Sequence, residues 1–226
     1  PILIEGYCSG NPDLLKTDDG TLYLSLNVLG SYVKVFKSID DGFSWTHIST
    51  ISNHPYVVHP EMRKYNDVLY MVCDSRQDIN PNPSNIYFYK STDGGYTWVE
   101  TSNIISDHED RWPTFIRGND GKFMVVWASN NRDVSGTYNL YYSISYDFAT
   151  WTPPKPLFSD TPYNDWSANL LKDKSGNILL AWSSDRDGDY EIYIKKISEG
   201  LPFFDGFENI ADGAYPSLNG WRNMYS

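Results

Sequence analysis

The sequence predicts an all-β chain assembled from repeated four-stranded units, and three observations carry that reading. An eight-residue motif, Ser38-Ile39-Asp40-Asp41-Gly42-Phe43-Ser44-Trp45, recurs as Ser91-Thr92-Asp93-Gly94-Gly95-Tyr96-Thr97-Trp98 and returns one residue shorter as Ser145-Tyr146-Asp147-Phe148-Ala149-Thr150-Trp151. The closing tryptophans stand 53 residues apart both times. Between the motifs lie short runs rich in β-branched and aromatic residues, separated by Gly- and Asn-containing turns. A period of this length in strand-rich sequence marks sheets that stack on one another, because one small sheet cannot bury both of its faces.

Each unit opens with a first strand: Asn11-Pro12-Asp13-Leu14-Leu15, His59-Pro60-Glu61-Met62, Trp112-Pro113-Thr114-Phe115, Trp166-Ser167-Ala168-Asn169-Leu170 and Tyr215-Pro216-Ser217-Leu218. A hairpin-type dipeptide follows, at Asp19-Gly20, Asn66-Asp67, Asp120-Gly121, Ser175-Gly176 and Asn219-Gly220. Second strands are predicted at 22–26, 68–73, 123–127 and 178–182, and third strands at 33–36, 86–89, 140–142 and 192–194. A fourth strand follows the octapeptide, as at 98–105. This gives four full units and a fifth that stops after its first two strands. Residues 1–7 hold the place of a fourth strand ahead of the first unit, so they are expected to complete the last unit and hide the sheet edges.

The octapeptide has a chemical logic. The aspartate carboxylate accepts hydrogen bonds from backbone amides two or more residues ahead and fixes a tight turn. Gly42 and Gly95 permit the positive φ of such a turn. The tryptophan anchors the next strand and carries one N–H to satisfy. The spacing S-x-D-x-G-x-[ST]-W resembles the Asp-box, or BNR repeat, of sialidases and other β-propellers. The resemblance implies a five-bladed β-propeller with an incomplete last blade closed by the N-terminal strand, or alternatively a fragment of a six-bladed sialidase-type propeller. It also implies that the motif lies on the outer rim in a structural role, and that the setting is extracellular or on the cell surface.

Composition narrows the partners. The repeat runs end to end through 226 residues as one domain, and the formal net charge is −11. Such a chain opposes a phosphate backbone, which needs clustered Lys and Arg, and gains nothing from an anionic membrane surface. An anionic sugar would require locally focused arginines. No apolar run reaches membrane-spanning length. Pro1 reads as a mature or trimmed start, with no signal peptide in view. The two cysteines, Cys8 and Cys73, are expected as free, partly buried thiols in preference to a disulfide.

In a propeller the first strand of each blade lines the central channel, so equivalent positions on these strands form the candidate site. Asn11, His59, Trp112, Trp166 and Tyr215 stand at its start, with Asp13, Glu61, Thr114, Ala168 and Ser217 just beyond and Asp110, Arg111 and Asp165 beside them. Flat rings suit the C–H faces of sugars, and amide or imidazole groups suit hydroxyls; Asn11, His59, Trp112, Asp165 and Trp166 are therefore the expected substrate contacts. Arg111-Trp112-Pro113 resembles the sialidase R-I-P strand, which implies Arg111 as a carboxylate clamp. Tyr215 is similar to the sialidase nucleophile, which needs an adjacent carboxylate such as Glu61. Asp13 and Glu61 also fit five-bladed arabinanase-type glycosidases, whose acid and base stand roughly 6–10 Å apart for inversion.

Two further patterns are expected to be structural. Arg76, Arg132 and Arg186 recur at the end of the second strand, each beside an aspartate, and read as repeated salt bridges. The run Asp185-Arg186-Asp187-Gly188-Asp189 has alternate carboxylates that could converge on calcium, but its glycine is misplaced for an EF-hand loop, and no cofactor or other metal is expected. Two functions follow: a glycan-recognising propeller with a sugar at the channel mouth and glycoside hydrolase chemistry carried by Arg111, Glu61, Asp13 and Tyr215, or a non-catalytic binding module.

Overall fold

The computed structural model describes residues 8–76, 84–105, 108–130, 136–158 and 162–197. The expected strand at residues 1–7 and the whole fifth unit, Tyr215 included, lie outside the described residues. Within them, four antiparallel sheets follow one another along the chain. Blade 1 holds β1 (Cys8–Lys16), β2 (Leu22–Val28), β3 (Tyr32–Ser38) and β4 (Thr46–Ile51). Blade 2 holds β5 (Val57–Tyr65), β6 (Val68–Arg76), β7 (Ser84–Ser91) and β8 (Val99–Ile104). Blade 3 holds β9 (Glu109–Arg117), β10 (Phe123–Asn130), β11 (Tyr138–Ser145) and the short β12 (Lys155–Pro156), and blade 4 holds β13 (Asp165–Lys172), β14 (Ile178–Ser184) and β15 (Glu191–Ile197). The all-β propeller expected from the repeat is present. The described residues make four blades where the sequence counts five units.

Every blade is a meander, each strand pairing with the next in sequence. The first strands β1, β5, β9 and β13 pack side by side, and β5, β9 and β13 also pack on the second and third strands of the blade before them. They are the inner strands. Three cores fill the seams between blades: Val33, Val35 and Met62 between blades 1 and 2, Phe88, Phe115 and Trp127 between blades 2 and 3, and Leu140, Tyr142 and Leu170 between blades 3 and 4. Burying one such side chain stabilises the fold by about 1.5–3 kcal/mol. Cys73 lies in the first of these cores as a free, fully buried thiol whose pKa is pushed up by burial. The side chain of Cys8 is not among those described.

The octapeptide turns are built as the sequence predicts. Asp40 Oδ1 accepts from the Ser44 N–H at 2.9 Å and the Ser38 hydroxyl at 2.7 Å, while Oδ2 accepts from the Ser44 hydroxyl at 2.6 Å. Asp93 repeats the pattern with Thr97 and Ser91, and Asp147 with Thr150 and Ser145. These donors lower all three carboxyls to about 2. The tryptophans also reach across a seam. Trp98 Nε1 donates to Ser49 Oγ of blade 1 at 3.1 Å, and Trp151 Nε1 donates to Ser102 Oγ of blade 2 at 3.0 Å. Gly95, at φ 92°, sits where a Cβ would come within 3.0 Å of Ile48 in blade 1, so this turn doubles as an inter-blade contact.

Candidate functional site at the mouth of the inner strands

The same irregularity interrupts all four inner strands. Pairing with the second strand shifts between Gly10 and Asp13, Val58 and Glu61, Arg111 and Thr114, and Trp166 and Asn169. At each shift one non-glycine residue is left-handed: Asn11 at φ 53°, His59 at 50°, Trp112 at 52° and Ser167 at 51°. A bulge of this kind bends the strand and re-aims its side chains. Proline follows at Pro12, Pro60 and Pro113, where the extra residue makes no demand on its missing N–H.

This backbone marker moves one assignment. The sequence reading placed Trp166 beside Asn11, His59 and Trp112, and Ala168 beside Asp13 and Glu61. In the structure Ser167 is the left-handed residue, and Asn169 faces Ala181 as Glu61 faces Val72 and Thr114 faces Val126. Trp166 therefore occupies the place of Arg111. Blade 4 lacks the proline that marks the bulge elsewhere, so the aromatic ring was the only guide and was one residue early.

The rings nevertheless converge. His59 lies 5.7 Å from Trp112, Trp112 lies 5.8 Å from Trp166 edge-to-face, and Tyr190 stacks on Trp166 at 5.2 Å, all between centroids. Tyr138 completes the group at 5.5 Å from Trp112 and 5.8 Å from Trp166. Five rings from three blades thus form one continuous, partly exposed surface at the starting ends of the inner strands. Tyr138 and Tyr190 were not singled out from sequence, because they lie at the edges of third strands where the repeat reads simply as aromatic. Asn11 is exposed on blade 1 at the same bulge position.

A layer of buried acids holds this surface. Asp74, on β6 and fully buried, accepts from His59 Nδ1 at 2.6 Å and from the Trp112 N–H of the next blade at 3.3 Å. It thereby supports two left-handed residues whose conformation costs each about 1 kcal/mol or more. Asp165 is likewise fully buried, accepting from Trp182 Nε1 at 3.1 Å and Arg186 Nη2 at 2.9 Å. It holds Trp182 and Arg186 from inside blade 4 and does not face outward. Arg111 pairs with Glu109 rather than Asp110 and lies over the Trp112 ring with its guanidinium carbon 5.5 Å from the centroid. Glu109 also accepts from the Tyr138 hydroxyl at 2.7 Å.

Asp13 and Glu61 sit just inside the bulges of adjacent inner strands and act across the seam. Asp13 Oδ2 accepts from the Met62 N–H at 2.7 Å, and Glu61 Oε1 accepts from the Phe115 N–H at 3.4 Å and pairs with Arg63 at 2.7 Å. Burial raises the Glu61 carboxyl to about 7; Arg63 counters this and the neighbouring Asp13 adds to it. Burial raises Asp13 as well, against the pull of the Met62 N–H and Arg63. The two acids are close enough to sense each other's charge. Glu61 is a buried carboxyl poised to exchange a proton near neutrality.

The remaining candidates separate. Asp185 accepts from Asn164 at 2.7 and 2.8 Å, and Asp187 accepts from the Tyr193 hydroxyl. Those two carboxylates face different partners, and among the described residues no group of three acids, histidines or cysteines is placed to hold a metal. Of the three recurring arginines, Arg186 forms a buried salt bridge with Asp165, while Arg132 and the side chain of Arg76 lie outside the described residues. No helix among the described residues is long and apolar enough to cross a membrane. A second concavity, of about 420 Å³, opens at the outer edge between blades 1 and 2, lined by Thr50, Asn53, Tyr89, Tyr96 and Trp98. Asn53 in its lining donates to Glu100, which His54 also bonds, each at 2.8 Å.

No family model matches the chain, and no curated protein does. Solved structures match its fold. The GH93 α-L-arabinofuranosidase of Fusarium graminearum, in complex with arabinobiose, superposes with a TM-score of 0.73 at 14% identity, covering 86% of this chain and 64% of that one. The α-L-arabinanase of Penicillium chrysogenum complexed with arabinobiose gives 0.67 at 16% identity, covering 82% and 61%. The Trypanosoma rangeli sialidase in complex with the inhibitor DANA gives 0.53 at 14% identity, covering 78% and 30%. The chain therefore spans less than two thirds of the length of these neighbours, and identities this low establish the fold alone.

Proposed function

We propose that this protein binds a neutral sugar on the aromatic surface of His59, Trp112, Tyr138, Trp166 and Tyr190. The observation that carries the reading is the convergence of five rings from three blades at the mouth, each held by a hydrogen-bonded or stacked neighbour. Apolar ring faces pack on sugar C–H groups, and His59 and the tyrosine hydroxyls supply polar contacts. Neutrality follows from Arg111. The cation expected to grip a substrate carboxylate is paired with Glu109 and lies over the Trp112 ring. The formal net charge of −11 also opposes an anionic ligand at long range. The neighbours' complexes with arabinobiose make an arabinose disaccharide the first probe.

A second reading adds catalysis. Glu61, raised to about 7, would act as the proton donor of a glycosidase, with Asp13 as its charged partner. Against it stands the structural use of both carboxylates across the seams between blades. Titration with arabinobiose and with sialyllactose, followed by tryptophan fluorescence, tests the binding reading: saturable quenching by arabinobiose and none by sialyllactose supports it, and the reverse order overturns it. Turnover of an arabinofuranoside that is lost in Glu61→Gln, with binding retained, assigns catalysis to Glu61. Binding without turnover in the unaltered protein leaves a pure recognition module.

A further inference from the structure

The fold does not require an acid at the position of Asp74. On the second strands the same place in the register belongs to Asn27 in blade 1, Ala128 in blade 3 and Ser183 in blade 4. These residues stand opposite Val33, Leu140 and Ile192, as Asp74 stands opposite Ile86. Three blades therefore build the same bulged mouth without a carboxylate there. Keeping a fully buried acid is costly unless its partners are well placed. What sets blade 2 apart is the residue on its bulge, which is His59 where the other blades carry Asn11, Trp112 and Ser167. The acid is fitted to the imidazole.

The two partners of Asp74 decide which group holds the proton. A backbone N–H can only donate, so the Trp112 amide at 3.3 Å makes Asp74 Oδ1 an acceptor. The same oxygen lies 2.6 Å from His59 Nδ1. The proton between them therefore sits on Nδ1, and the neutral ring carries its lone pair on Nε2. The ring is also held in place. Its backbone is left-handed at φ 50°, Pro60 follows it, and its centroid lies 5.7 Å from that of Trp112. The His59 side chain is 17% exposed while Asp74 is fully buried, so solvent meets the ring at the edge away from Asp74. Among the described residues Nε2 has no hydrogen-bond partner.

We propose that Asp74 is a positioning residue that locks His59 with a bare Nε2 toward the mouth, so that the site selects a ligand hydroxyl that donates a hydrogen bond at blade 2. The inference rests on the sugar reading for its ligand and deepens it, because it gives the contact a direction. A sugar hydroxyl brings a proton to Nε2. The same position capped as a methyl ether or replaced by fluorine brings only lone pairs, and a polar site left unpaired in this way rejects its ligand. Asp74 acts without touching the ligand, through the tautomer it imposes.

Long-range nitrogen–proton correlation of the imidazoles in the full chain, at about pH 8 and so above the ordinary histidine range, reads the tautomer directly. His59→Gln identifies the His59 signals. The expected result is a proton on Nδ1 and a bare Nε2, whose signal moves on titration with arabinobiose along the same curve as tryptophan quenching. Asp74→Asn, whose amide can donate to Nδ1, is expected to move the ring proton to Nε2 and weaken arabinobiose binding about tenfold. A proton on Nε2 in the unaltered protein overturns the proposal, and so does quenching with Nε2 unmoved; the sugar reading survives both. Retention of the Nδ1 proton and of full affinity in Asp74→Asn overturns the role of Asp74. Should that variant fail to fold, the signals of the unaltered protein decide. A bare Nε2 without any quenching by arabinobiose overturns the sugar reading and upholds the tautomer that Asp74 imposes.

Discussion

At the outer rim, Asp40, Asp93 and Asp147 sit in solvent, each gathering hydroxyl and N–H donors from its own turn, and their carboxyls fall to about 2. At the mouth of the inner strands, Glu61 lies buried beside Asp13, and its carboxyl rises to about 7. The two ends also differ in how they repeat. The rim uses the same side chains three times over, whereas the mouth keeps one backbone bulge and places Asn11, His59, Trp112 and Ser167 on it in turn. A device repeated with its chemistry intact holds blades together. A device repeated in backbone only offers a fixed frame on which different side chains meet at one place.

The contrast can be broken most forcefully at Asp74. Removing a buried carboxylate that serves both His59 and the Trp112 N–H leaves unsatisfied groups on two blades, so Asp74→Ala is expected to destabilise the fold by about 3 kcal/mol. Chemical denaturation measures this, and a loss no larger than that of Asp93→Ala would erase the distinction between the ends.

Next in size is the pH response of Glu61. Its folded carboxyl titrates at about 7 against an ordinary value of 4.5, so the folded state binds more protons between these limits, and stability falls as pH rises through them. Glu61→Gln removes that penalty. The variant should match the parent near pH 4 and exceed it above pH 7, by a margin of order 2–3 kcal/mol. A constant difference across pH would show that Glu61 does not titrate in this range.

Smaller still, Trp112→Ala should weaken arabinobiose binding about tenfold to thirtyfold, on the order of 1.4–2 kcal/mol. Trp98→Phe, which deletes the N–H shared by Ser49 and Gly95, should cost about 1 kcal/mol of stability and leave affinity untouched. The slightest effect is expected from Asp93→Asn. Its lowered carboxyl contributes stability above the ordinary value of 3.8 that fades as pH falls toward 2, so the small drop in melting temperature seen at neutral pH should disappear in acid.

The rim was readable because its function is local. Ser38, Asp40, Gly42, Ser44 and Trp45 satisfy one another within eight residues, so the letters alone define the turn. The mouth was readable only where the local pattern extended to it. Pro12, Pro60 and Pro113 aligned three inner strands in one frame, and Ser167-Ala168, without a proline, misplaced Trp166 by one residue. Asp74 gave no signal, since a single aspartate in a second strand carries no mark of the two partners that reach it from 15 and 38 residues away. Arg111 resembled a clamp because a three-residue resemblance cannot show that Glu109, two residues earlier, already holds it. The inter-blade use of Trp98 and Trp151 was hidden for the same reason: their partners Ser49 and Ser102 lie 49 residues before them, in the preceding blade.

The central claim, that ligand meets the mouth and leaves the rim alone, is tested most directly by the tryptophan indole N–H signals in a nitrogen–proton correlation spectrum. On titration with arabinobiose, the signals of Trp112 and Trp166 should move together along one saturation curve while those of Trp45, Trp98 and Trp151 stay in place. Movement of the rim indoles with Trp112 and Trp166 unmoved would contradict the account.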